Sequence, residues 1–188
     1  MSTYIIGDTH FGDSAIIKAC KRPFPSVAAM DEAMVRNWNT VVTDNDNVIH
    51  LGDFAHHYPD DKLPGLFAAL KGRKHLVRGN FDGKATQALP WASQRDIAYA
   101  TVDGQNVVLC HFSMRQWPRI RKGALMLYAH SHGRMPGNAQ SADVGVDVMG
   151  FYPVTLLKIQ SHLATLPVMN DPEARDDIED LAGGGLKL

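Results

Sequence analysis

Acidic, imidazole and carboxamide side chains recur in this chain where apolar runs stop. Tyr4-Ile5-Ile6 ends in Gly7-Asp8-Thr9-His10, and Val48-Ile49-His50-Leu51 ends in Gly52-Asp53. Arg73 to Arg78 ends in Gly79-Asn80-Phe81-Asp82, Gln105 to Cys110 ends in His111, and Ala124 to Ala129 ends in His130-Ser131-His132. Oxygen and imidazole donors without thiolate suit Mn²⁺, Fe, Zn²⁺ or Ni²⁺ and match iron-sulfur clusters and copper(I) poorly. Asp8, His10, Asp53, Asn80, His111, His130 and His132 are donors enough for two ions. One aspartate must then bridge, because a carboxylate between cations about 3.5 to 4 Å apart offsets their repulsion. A single Asp-x-His pattern arises often by chance. Its repetition at successive strand ends gives it meaning.

The elements that must position these groups follow from periodicity. Each run is short and apolar, as a buried strand is. In open α/β sheets ligands bind in the crevice beyond the carboxyl ends of the strands, where Asp8 and His10, spaced i, i+2, face the same way. Ala15 to Cys20 reads as a short helix, broken by Lys21-Arg22-Pro23-Phe24-Pro25. Ser26 is a candidate N-cap for a helix through Val42, with Ala29, Met30, Ala33, Met34, Asn37, Trp38 and Val41 along one face. Leu63 to Leu70 reads as a helix with Pro64 in its first turn. Three strands separated by helices form a βαβαβ unit, which implies parallel pairing and right-handed crossovers. Beyond it, Arg95 to Val102 and Gln105 to Cys110 flank Asp103-Gly104, a hairpin signal. Asp143 to Val148 alternates like a further strand, and Pro153 to Leu166 reads as a helix packing back on the sheet. Asp171-Pro172-Glu173 and Gly183-Gly184-Gly185 delimit a short acidic helix and tail. The spacing predicts one α/β domain over residues 1–168 and a helix with tail over 169–188.

Composition narrows the function. The 188 residues suffice for one domain with a substantial core. A formal charge of -1 offers no basic footprint, so nucleic acid is a possible but unfavoured partner, confined to an end held in the metal site. No apolar run has the length of a membrane span. Cys20 and Cys110 lie far apart without CxxC spacing, and no basic segment followed by a long apolar run opens the chain, so a reducing cytoplasm is expected.

The blocks Asp8-Thr9-His10, Gly52-Asp53, Gly79-Asn80-Phe81-Asp82, His111 and Ala129-His130-Ser131-His132 together resemble the calcineurin-like metallophosphoesterases, in that family's order and over residues 3 to 150. Arg22-Pro23-Phe24 and the helix with Trp38-Asn39 are similar to a small, single-domain bacterial and phage-type branch. The resemblance implies a two-layered αββα sandwich of mixed sheets flanked by helices. It puts Asp8, His10, Asp53 and His132 on one metal ion and Asp53, Asn80, His111 and His130 on a second, with Asp53 as the bridge. The implied cofactors are two divalent ions, Mn²⁺ first among Mn, Fe, Zn and Ni. The implied activity is hydrolysis of a small phosphate ester by a metal-activated water.

Position 81 departs from the family pattern, which has a histidine there to contact phosphate and protonate the leaving group. Phe81 can neither donate a proton nor bear charge. A dianionic monoester should suffer most, so the expectation leans to phosphodiesters. His56 and His57 are candidates to supply the missing acid, with a solvent-facing loop pair as the alternative. Arg22, Arg78 and Arg115 are candidates for phosphate oxygens, since guanidinium offers a bidentate fork. The expected catalytic group is Asp53, Asn80, His56 and Arg78; the expected substrate contacts are Arg22, Asn80 and Arg115. His50 and His75 read as core histidines, Asp82 as an anchor for the Asn80 loop, and Asp147 as structural. Two other readings stand beside the hydrolase: a non-catalytic metal-binding scaffold of the same fold, and a nuclease acting on nucleic-acid ends. A scaffold has no physical reason to gather so many costly polar groups at strand ends.

Overall fold

A computed structural model of the chain describes residues 1–168. The acidic helix and tail expected from Asp171 onward lie outside the described residues.

Side-chain alternation decides the layering. In β1 (Thr3–Ile6), Ile6 packs into a core shared with helices and Ile5 into a second core between sheets. Consecutive residues point to opposite faces, and burial of both faces makes this a central strand. β1 pairs in parallel with β2 (Asn47–His50), and β2 with β3 (Arg73–Val77). The crossovers are α1 (Ser14–Ala19) and α2 (Val27–Val41), then α3 (Leu63–Ala69). Ser26 caps α2 by accepting a hydrogen bond from the Ala29 N–H, and Met30, Ala33, Met34 and Trp38 form its buried face. After α4 (Lys84–Gln87), β4 (Ser93–Arg95) adds in parallel to β3. The first sheet therefore runs β4-β3-β2-β1, with β9 (Val154–Thr155) antiparallel on the far edge.

A second sheet packs on the first. β5 (Ile97–Val102) and β6 (Gln105–Cys110) form the hairpin about Asp103-Gly104, and β7 (Leu125–Tyr128) and β8 (Ser141–Asp143) extend it in parallel. Val107, Leu109, Leu125 and Leu127 face Ile5, Leu51 and Val77 across the sheet interface. Val108, Cys110, Met126 and Tyr128 point outward and are covered by Trp117 and Ala124. Two mixed sheets flanked by helices form an α/β sandwich, the expected class.

Three local expectations are corrected. The strand expected over Asp143 to Val148 ends at Asp143, and α5 (Val146–Met149) begins almost at once. Asp143 forces the turn: its Oδ1 accepts from the Gly145 N–H and its Oδ2 from the Gly133 N–H and the Ser131 hydroxyl. The helix expected from Pro153 starts later, because Val154 and Thr155 first pair with β1, and Thr155 then caps α6 (Leu156–Leu163). Arg95 belongs to β4, so the expected first hairpin arm is shared between the sheets.

Candidate metal centre

The proposed ligands sit where strands end, and several hold unusual backbone. Asp8, His10, Asp53, His130 and His132 have φ between 48° and 64°, the left-handed region that L-residues other than glycine seldom adopt. Each such residue costs on the order of 1–3 kcal/mol, and strain of this kind clusters at functional sites. The loops are also pressed together. A Cβ at Gly52, which has φ 89°, would meet the Gly79 backbone and the His111 ring. A Cβ at Gly79 would strike Asp53, so glycine is required at both contacts.

Asp8 and His10 carry the sharpest signal. Both are buried, and neither the Asp8 carboxylate oxygens nor the His10 ring nitrogens have a hydrogen-bond partner. Leaving a buried polar atom unpaired costs about 1–3 kcal/mol, and more for a charge. The residues therefore fit a bound cation, which would satisfy all of them. Burial pushes the Asp8 carboxyl up to about 7, against the opposing pull of His132 and His111. It pushes the His10 imidazole down to about 4, against Asp53. Asp8, His10 and His132 form one group whose ligand atoms lie within 4.8 Å of one another; Asp53, His111 and His130 form a second.

Asp53 lies between them. Its Oδ2 is 3.5 Å from His10 Nε2 and 3.3 Å from His111 Nε2, while Oδ1 accepts from the Phe81 N–H at 2.8 Å. Burial raises its pKa, but the His111 contact outweighs that and the net shift is downward. His111 Nδ1 is 2.7 Å from the Leu51 carbonyl, which directs the proton to Nδ1 and leaves Nε2 facing Asp53 and Asn80 Oδ1, the latter at 3.0 Å. Asp82 accepts from the Gly79, Asp53 and Phe54 N–H groups and so locks the Asn80 loop to the Asp53 loop.

A buried guanidinium braces the other side. Arg22 donates Nε and Nη2 to the two carboxylate oxygens of Asp147, both at 2.8 Å, Nη2 also to the Asp8 carbonyl, and Nη1 to the Thr9 carbonyl and the Met30 sulfur. Asp147 Oδ2 in turn meets His132 Nδ1 at 2.8 Å. Burial raises the Asp147 pKa, but the His132 and Arg22 contacts bring it below its ordinary value.

The substrate candidates fare differently from the ligand candidates. Arg22 was expected on phosphate, yet it is buried and all its donors are engaged, so it positions the Asp8 loop and Asp147 instead. Arg78 likewise closes its fork on Asp96, at 2.8 and 2.6 Å. Arg115 is exposed on the loop after β6, and Asn80 is exposed beside His111. His56 is half-buried against Phe81, ring centroids 4.4 Å apart, with Nδ1 3.3 Å from Asp13 Oδ2. Asp13 escaped the sequence reading: it caps α1 and also lies 3.4 Å from His10 Nδ1. Its position three residues after His10, ahead of Ser14-Ala15, was the available signal.

Two packed sheets whose strand ends gather carboxylates and imidazoles around orphaned polar atoms define a metal-binding class of α/β protein. A family model described as calcineurin-like phosphoesterase matches residues 1–156, and the chain belongs to that family. The family typically uses two divalent metal ions. The uncharacterized protein MJ1445 of Methanocaldococcus jannaschii is 30% identical over 161 residues, which span 81% of this chain and 86% of that protein. Among solved structures, the protein of unknown function AQ665 from Aquifex aeolicus is similar with a TM-score of 0.67 at 21% identity, over 85% of this chain and 98% of that one. That likeness shows the fold. A novel archaeal phosphodiesterase is similar at 16% identity with a TM-score of 0.44, over 77% of this chain and 82% of that one.

Proposed function

We propose that this chain hydrolyses small phosphodiesters at a dinuclear centre that takes Mn²⁺ first, with Fe, Zn²⁺ or Ni²⁺ as alternatives. Asp8, His10 and His132 would hold one ion, Asn80, His111 and His130 the other, and Asp53 both. Bound there, two divalent ions supply charge to the phosphoryl oxygens and acidify a water near neutral pH. The chain's own groups do the rest. Asp82 and Arg22 keep the ligand loops in place, Leu51 holds the His111 tautomer, and Asp13 holds His56 beside His10.

The observation that carries the diester reading is Phe81. A ring without proton or charge occupies the position of the family's histidine, and a monoester dianion loses more by that than a monoanionic diester. In this reading His56, packed on Phe81 and held by Asp13, would donate to the leaving oxygen. The free cysteines Cys20 and Cys110 and the absence, among the described residues, of any helix long and apolar enough to cross a membrane fit a cytoplasmic location.

Metal-stripped protein refilled with Mn²⁺ should cleave a chromogenic diester faster than the matched monoester, and Asp53→Ala should abolish both activities. A monoester preference would remove the diester reading. Failure of every metal to restore turnover on either ester would remove the hydrolase reading in favour of a binding scaffold, for which Phe81 is the specific argument.

A further inference from the structure

The mouth of the metal centre is lined by exposed apolar side chains. Phe81 is 41% exposed, its ring edge-on to His10 at 5.5 Å. Phe112 is 47% exposed, with centroids 4.9 Å from His111 and 4.7 Å from His130. The two rings thus touch different ligand groups, one beside the Asp8, His10 and His132 set and the other beside the Asp53, His111 and His130 set. Met135, also exposed, meets Ser113 next to Phe112. Single exposed apolar residues are ordinary, but grouped apolar surface at a polar cleft marks a binding site. Phe81 packs against two imidazoles, His10 and His56, and Phe112 against His111 and His130, yet each ring keeps more than two fifths of its surface exposed.

The charges near the mouth point the same way. Arg22 is enclosed and saturated, so its fork is closed to a further phosphate, and Arg78 spends its fork on Asp96 at the surface. Arg115, exposed on the loop after β6, is the remaining arginine candidate for a phosphate oxygen, so recognition of an uncharged ester group falls to the apolar faces. A flat π-system is what aromatic side chains stack on regardless of its sequence or substituents.

We propose that Phe81 and Phe112 form an aromatic rim that takes a flat aromatic ester group, so that the substrate is a small phosphodiester of a nucleoside or of another alcohol that carries a flat aromatic ring. The inference rests on the phosphodiester reading and names the chemistry of the group that does not leave.

Three esters with one leaving group and one charge isolate that group: thymidine 5′-(p-nitrophenyl) phosphate, phenyl p-nitrophenyl phosphate and methyl p-nitrophenyl phosphate, each with the Mn²⁺-loaded full chain. The thymidine ester should show a KM about tenfold below that of the methyl ester. In the Phe81→Leu, Phe112→Leu double variant that ratio should fall towards one. A phenyl ester matching thymidine assigns recognition to the ring face alone, whereas one matching methyl assigns it to the nucleoside. Equal KM for thymidine and methyl esters, or an unchanged ratio in the double variant, overturns the rim. Calorimetric binding of thymidine 5′-phosphate against methyl phosphate gives a readout without turnover. Preference in binding with no hydrolysis of any ester would keep the rim and sink the phosphodiesterase reading, while hydrolysis with no preference would do the reverse.

Discussion

If the chain hydrolyses phosphodiesters as proposed, Phe81 supplies no proton to the departing alkoxide and another donor must. The His56 ring lies against Phe81, and the carboxylate that orients His56 also faces His10. General acid catalysis matters in proportion to how badly the leaving group needs a proton, and contributes about 10²–10⁴-fold where it does. His56→Gln keeps a hydrogen-bonding side chain of similar length but removes the imidazole. Its kcat on a diester with an alkyl leaving group should fall at least about 10²-fold, while p-nitrophenyl esters, whose anion leaves unaided, should lose little. Equal losses on both ester types would mean that His56 serves packing against Phe81 rather than proton transfer.

At the scale of elements, the site is a set of loops held in strained backbone by partners from elsewhere in the chain. Arg22, before α2, fastens the carbonyls at the end of β1 to Asp147 in α5, and Asp147 orients His132 after β7. Such outer partners tune ligands, and their loss costs about 10–100-fold in metal affinity. Asp147→Asn puts an N–H donor against His132 and Arg22, so chelator competition should show one ion weakened by that factor and the other much less. A uniform loss of both ions would indicate general loosening of the fold instead. The strand ends themselves were legible in the sequence, because Gly-Asp after an apolar run marks the point where polar groups leave a core. The bracing was not. Arg22 reads as a candidate phosphate contact until the fold brings Asp147, which is distant in sequence, to its fork. The alternation of Asp143 to Val148 mimics a strand because local pattern cannot reveal that the Asp143 carboxylate caps a turn. Element ends fared similarly: Thr155 is both the last β9 residue and the α6 cap, and only pairing with Tyr4 separates the two roles.

For the molecule as a whole, the centre joins two sheets. Asp8, His10, Asp53 and Asn80 follow strands of the first sheet, whereas His111, His130 and His132 follow strands of the second, so ions bound there cross-link the sandwich. Binding to the folded state alone raises stability by about 2.7 kcal/mol at a hundredfold excess over Kd. Stripping the metal should therefore lower Tm, and Asp8 should make the change depend on pH. In stripped protein its folded pKa is about 7, above the ordinary 3.8, so its contribution is most favourable below 3.8 and is lost as pH rises towards 7. Asp8→Asn cannot ionise. Relative to stripped wild type, this variant should gain on the order of 2–3 kcal/mol between pH 5 and pH 8, roughly 5–10 °C in Tm. With saturating Mn²⁺ the order should invert, since the variant has lost a charged ligand and with it the cross-link. Melting curves of both proteins, stripped and loaded at the two pH values, test this directly. If the difference between wild type and variant does not change with pH in stripped protein, Asp8 is not held as an unpaired buried acid, and the case for a cation at that position weakens with it.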